Sequence, residues 1–96
     1  MLEGTFKQKL KKRIEEQFPG CKIVFLSPEN FQGIPDLAIF YNDKWAMLEG
    51  KKSEDAPVRP NQEYWVNEFN KMSYASFIYP ENMEVVLDEL EQTFRC

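Results

Sequence analysis

Leu37-Ala38-Ile39-Phe40-Tyr41-Asn42-Asp43-Lys44-Trp45-Ala46-Met47-Leu48 reads as two apolar strands joined by a tight polar turn. With Asn42 and Asp43 as the turn, Tyr41 faces Lys44, Phe40 faces Trp45, and the pairing runs back until Asp36 faces Glu49. A three-residue turn would shift this register by one. Both faces of the hairpin are apolar: Ala38, Phe40, Trp45 and Met47 on one, Leu37, Ile39, Ala46 and Leu48 on the other. That pattern belongs to a sheet interior and not to a surface hairpin with incidental acids. Directly opposed side chains stand about 4.5–5.5 Å apart at Cβ, where two carboxylates repel. An acid left unpaired in a sheet interior is costly, so Asp36 and Glu49 together call for positive charge. Lys51, two residues past Glu49, falls on the same face. A divalent cation between the carboxylates would neutralise the rest.

Upstream of the hairpin, Phe6, Leu10, Ile14 and Phe18 recur every four residues, which predicts an amphipathic helix over Leu2 to Phe18, ended by Pro19-Gly20. Glu3 lies in its first turn on the core-facing side. There it either complements the helix dipole or adds a third acid to the site; Glu15 and Glu16 at the other end read as solvated. The basic run Lys7, Lys9, Lys11, Lys12, Arg13 covers mostly the outer face of this helix. A solvated face and a phosphate-contacting stripe are both open readings of it. Cys21 to Leu26 is a short apolar strand whose Cys21 reads as a small buried hydrophobe. A polar loop over 27–32 then leads to Gly33, which lets backbone or phosphate approach closely, and to Pro35, suited to a strand start.

Downstream, the charged loop Lys52 to Pro60 flanks the acid pair, and its Lys52 and Arg59 are available to a nucleic-acid backbone. Pro60 opens a second helix whose stripe is Gln62, Trp65, Val66, Phe69 and Met72. A glutamine on such a stripe needs partners; capping its own helix is one use of it and a place in the site is the other. Ala75 to Tyr79 is a fourth strand, and Pro80-Glu81-Asn82 leads into a last helix with Met83, Val86, Leu87, Leu90 and Phe94 on one side. The order is α-β-β-β-α-β-α with the acid-bearing hairpin central.

Ninety-six residues leave room for one domain with one core, and 43% hydrophobic content with 15% aromatic is enough to pack it. No apolar run approaches a membrane span and the N-terminus lacks a signal pattern, so a cytoplasmic protein with no membrane association is expected. Cys21 and Cys96 form no metal-type pair and no disulfide framework. The chain has no histidine, which excludes histidine-based catalysis and most zinc sites. Any metal is therefore held by oxygen, which points to Mg²⁺ or Mn²⁺. The net charge of −4 runs against a nucleic-acid partner. It is unevenly spread, however: Glu81, Glu84, Asp88, Glu89 and Glu91 cluster without a base, while Lys7 to Arg13 carry bases without an acid.

Gly33-Ile34-Pro35-Asp36 followed by Glu49-Gly50-Lys51 resembles the PD-(D/E)xK nuclease signature, and its short form is similar to the small stand-alone virus-type replication-repair nuclease (VRR-NUC) domains of phages. The resemblance covers nearly the whole chain. It implies an α/β restriction-endonuclease-like minimal core with a central mixed sheet, in one nuclease domain over 1–96. It also implies that Asp36, Glu49 and the Gly50 carbonyl hold Mg²⁺ or Mn²⁺, and that Lys51 positions water or stabilises developing charge. Many members carry a glutamate at the start of the first helix, a position that Glu3-Gly4 fits, which would make Glu3 a further metal ligand. Gln62 followed by Trp65 is similar to a Gln-plus-aromatic pair of the family and would orient water or phosphate. Lys7, Lys11, Lys52 and Arg59 are then the candidate DNA contacts.

The activity implied is a metal-dependent DNA endonuclease, selective for branched DNA such as four-way (Holliday) junctions and acting as a homodimer. Two departures stand out: Gly50 replaces a usually larger apolar residue, and the second helix ends at Met72-Ser73 without a glycine. Two other classes remain alongside: a nucleic-acid-binding or assembly module on the same fold with little cleavage, and an unrelated small α/β protein with an accidental motif.

Overall fold

The computed structural model describes residues 2–27, 29 and 31–95, the side chains of 2–4 excepted. The elements run α1 (Leu2–Gln17), β1 (Lys22–Phe25), β2 (Leu37–Tyr41), β3 (Lys44–Gly50), α2 (Pro60–Met72), β4 (Tyr74–Ile78), a 3-10 turn (Pro80–Asn82) and α3 (Met83–Arg95). The strands form one mixed sheet in the order β1-β2-β3-β4. β1, β2 and β3 pair antiparallel; β3 and β4 pair parallel, joined by the α2 crossover that such a connection requires. The fold class read from the sequence is the one observed.

The hairpin register is the one the two-residue turn dictates, from Tyr41↔Lys44 to Leu37↔Leu48. Asn42 takes a left-handed φ of 56°, a conformation that asparagine tolerates better than most residues. Leu37, Ile39, Ala46 and Leu48 are fully buried and meet Leu10, Ile14 and Phe18 of α1 and Val86, Leu87, Leu90 and Phe94 of α3. These side chains make the main core. Phe18 packs edge-on to Phe94, and the Arg95 guanidinium lies over the rings of Phe18 and Tyr41. The two helices are also tied by Arg13, whose guanidinium donates to both carboxylate oxygens of Glu84 at 2.8 and 2.9 Å.

The opposite face is covered by α2, with Val66 buried and Phe69 stacked on Trp65 and edge-on to Trp45. This cover is partial. Phe40 on β2 and Val24 on β1 remain 44% and 45% exposed, so the second hairpin face is less interior than its apolar pattern suggests. Met72, expected on the α2 stripe, is exposed at the helix end. Element limits shift by a residue or so: Phe18 and Cys21 lie outside α1 and β1, β4 begins at Tyr74 and ends at Ile78, and Cys21 is half-buried. Cys96 lies outside the described residues. No helix among the described residues is long and apolar enough to cross a membrane.

Candidate active site

Asp36 stands one residue ahead of β2, where its carbonyl accepts the Leu26 N–H at 2.7 Å and extends the β1–β2 ladder. The loop that delivers it is pinned by Gly33. This residue has a φ of +85°, and a Cβ there would lie 2.7 Å from the backbone carbon of Asn61 in the first turn of α2. The close approach anticipated at Gly33 is therefore made by α2 itself, and it seats the acid-bearing loop on the helix that carries Gln62.

Past the last hairpin pair, the Asp36 side chain turns toward β3. Its Oδ2 accepts the Gly50 N–H at 3.0 Å, and its Oδ1 lies 3.4 Å from Lys7 Nζ. Gly50 leaves room beside this arrangement. A Cβ on it would already be in contact with the Asp36 carboxylate at 3.4 Å and with the Lys7 stem at 4.0 Å, so a larger side chain would occupy the space along which Lys7 runs.

Glu49 is 5% exposed and is the one buried charged side chain among the described residues. Burial pushes its carboxyl up to about 7, the charge of Asp36 pushes in the same direction, and Lys51 and Lys7 pull against them. The repulsion inferred from the register is thus felt across the sheet. Glu49 Oε2 accepts from Gln62 Nε2 at 3.2 Å. The orientation of that amide follows from its other side, where Gln62 Oε1 accepts from Lys51 Nζ at 2.6 Å and from the Arg59 N–H at 3.1 Å. Both of those groups can only donate, so oxygen faces them and nitrogen faces the carboxylate. The two uses weighed for Gln62 coexist: it caps its own helix and it ties Glu49 to Lys51. Lys51 also donates to the Pro57 carbonyl at 2.9 Å. Among the described residues, the cation in contact with the acid pair is consequently Lys7, while Lys51 acts on it through Gln62 and through space.

Asp36, Glu49, Arg59 and Gln62 line the boundary of two open depressions of about 320 and 440 Å³. The first continues over Gln32, Gly33, Ile34 and Asn61; the second carries Lys7, Lys51 and Lys52 along its walls. Of the sequence-derived candidates, Asp36, Glu49, Gly50, Lys51, Gln62, Lys7, Lys52 and Arg59 therefore converge. Lys11 pairs with Glu15 at 3.0 Å and does not line either depression. The Glu3 side chain lies outside the described residues. Sequence reasoning placed Lys7 on a basic stripe and missed its contact with Asp36; the signal was available, since Lys7 lies one helical turn from Glu3, which was already assigned to the core-facing side.

The donor set fits a hard divalent cation. Two carboxylates, one of them reluctant to ionise without added positive charge, offer oxygen alone. No group of three or more potential acidic, thiol or imidazole ligands occurs among the described residues. Mg²⁺ commonly keeps several waters beside one or two carboxylates, which suits such a pair.

No protein-family model matches the sequence, and no curated protein matches it. A solved structure described as a VRR_NUC domain superposes with a TM-score of 0.66, covering 92% of this chain and 96% of its own at 24% sequence identity. The chain has the VRR-NUC domain fold.

Proposed function

We propose that the chain is a metal-dependent DNA endonuclease that hydrolyses phosphodiester bonds. The observation that carries this reading is the buried Glu49 beside Asp36, two carboxylates held together at an open, lysine-walled cleft. Asp36, Glu49 and the Gly50 carbonyl are the groups that would hold Mg²⁺ or Mn²⁺, with Glu3 the candidate for a further acid. A divalent cation bound there supplies neutralisation of the acid pair and of the scissile phosphate, and acidifies a water.

The chain's own residues divide the remaining work. Gln62 fixes the Glu49 carboxylate and, through its oxygen, the Lys51 ammonium. Lys51 is thereby oriented to hold the attacking water or to stabilise charge developing on the phosphate. Lys7, Lys52 and Arg59 line the same cleft as phosphate contacts, with Lys11 a more distant one. One protomer of 31 × 27 × 23 Å carries one acid pair, so paired cuts on two strands require two copies. A homodimer acting on branched DNA such as a four-way junction meets that requirement with a twofold axis.

End-labelled four-way junction, flap, single-stranded and plain duplex DNA, incubated with Mg²⁺ or Mn²⁺ beside Asp36→Ala and Lys51→Ala, tests the reading. Metal-dependent cutting lost in both variants is expected, with paired symmetric nicks in the junction. Junction binding without cutting would replace this function by a binding module, and absence of both would leave the motif accidental.

A further inference from the structure

Lys7 comes from α1, on the core side of the sheet, and its ammonium meets the Asp36 carboxylate just ahead of β2. Three observations meet on it. Its Nζ is 3.4 Å from Asp36 Oδ1. Its stem passes 4.0 Å from where a Cβ on Gly50 would stand, beside the backbone that donates to Asp36. It lines the same depression as both Asp36 and Glu49. Lys51, the lysine of the signature, is engaged elsewhere, by Gln62 and Pro57.

A divalent cation ligated by Asp36 would compete with Lys7 for the same carboxylate and would be repelled by its ammonium. Lys7, 30% exposed at the cleft wall, has four rotatable stem bonds with which to swing away. The nearest new partner for it is an anionic oxygen entering that cleft. We propose that Lys7 is the resident counter-ion of the acid pair, displaced from Asp36 when metal enters and taken up by a phosphate of the bound DNA. This assignment rests on the nuclease reading above and adds to it an order of events: metal binding is opposed by Lys7 in the free protein and favoured once DNA gives the ammonium another partner. The coupling is reciprocal, so metal strengthens DNA binding by the same factor.

A positioning role and a counter-ion role predict opposite signs. If Lys7 merely braced Asp36, its removal would loosen a ligand and weaken metal binding. If it competes with metal, removal tightens binding. The test is calorimetric titration of Mn²⁺ into the DNA-free protein for wild type, Lys7→Met, which keeps an apolar stem, and Lys7→Arg, which keeps the charge. Loss of a partly exposed ion pair should tighten Mn²⁺ binding roughly two- to fivefold in Lys7→Met, with Lys7→Arg close to wild type.

The second half of the exchange is read with a labelled duplex and Ca²⁺ in place of the catalytic ion. Lys7→Met should bind this DNA more weakly, with its log–log salt slope reduced by about one. Thermal melting of the metal-free variants checks that both fold. Mn²⁺ binding unchanged or weaker in Lys7→Met overturns the counter-ion assignment, and an unchanged salt slope overturns the phosphate handover. No Mn²⁺ binding by wild type would instead overturn the nuclease reading on which both rest.

Discussion

Replacing Glu49 by glutamine should make the protein more stable at neutral and alkaline pH while abolishing its proposed activity. Glu49 carries a carboxyl pushed from its ordinary 4.5 to about 7 by burial and by Asp36. The folded chain therefore holds this proton more tightly than the unfolded chain does. Folding takes up a proton between those values, so the stabilisation is complete below about pH 4.5 and is lost as pH rises through about 7. At about 1.36 kcal/mol per pH unit, the gap between 4.5 and about 7 amounts to about 3 kcal/mol. That is a sizeable part of the roughly 5–15 kcal/mol that holds a domain together.

Glutamine keeps the shape, retains an oxygen to accept from Gln62 and cannot ionise. Urea unfolding in EDTA between about pH 4 and about pH 8, followed by circular dichroism, should show near-equal stability at the acid end and an advantage of about 3 kcal/mol for Glu49→Gln at the alkaline end. In melting temperature the alkaline difference is of the order of 10 °C. Added Mg²⁺ should raise wild type alone and narrow the gap. Parallel pH profiles for the two proteins would refute the claim that an uncompensated acid sits in the sheet.

Two further substitutions test how the site is built. Gly33→Ala puts a side chain at a φ of +85° and 2.7 Å from the Asn61 backbone, so it should cost about 1–3 kcal/mol in urea unfolding; a shift below a few tenths would mean that the loop does not seat on α2 as described. Gln62→Leu removes the group that joins Glu49, Lys51 and the Arg59 N–H. It should lower cleavage about 10- to 100-fold, as loss of a residue that orients metal ligands typically does, with secondary structure retained; full activity would remove Gln62 from the proposed machinery.

The hairpin was legible because its turn leaves one register and a strand has a period of two. Once Tyr41 pairs with Lys44, the meeting of Asp36 and Glu49 follows from counting. Element order was equally legible, since each helix carries an apolar stripe and each strand is bounded by proline, glycine or charge. What local pattern does not encode is how far each layer extends over its neighbour. Phe40 and Met72 are apolar at sound positions, yet α2 lies across β3 and β4 and leaves both exposed. Lys7 escaped for a related reason. The packing of Leu10, Ile14 and Phe18 against the sheet sets the rotation of α1, and of the five neighbouring bases it is the one a helical turn from Glu3 that reaches Asp36. Lys51 lines the cleft with the acids, but its direction is set by Gln62 and the Pro57 carbonyl, contacts that strand alternation does not encode.

The double engagement of Gln62 has a consequence for motion. One amide group closes the first turn of α2 and grips the buried acid, so fraying of that helix end and dismantling of the site are a single local event. The backbone amides of the first turn of α2 thus become reporters of the active arrangement, with a free energy of opening that hydrogen exchange can read residue by residue. Protection there should rise and fall with the occupancy of the acid pair even though those amides touch neither carboxylate. The entrance to α2 is in this sense a built-in gauge of whether the site is assembled.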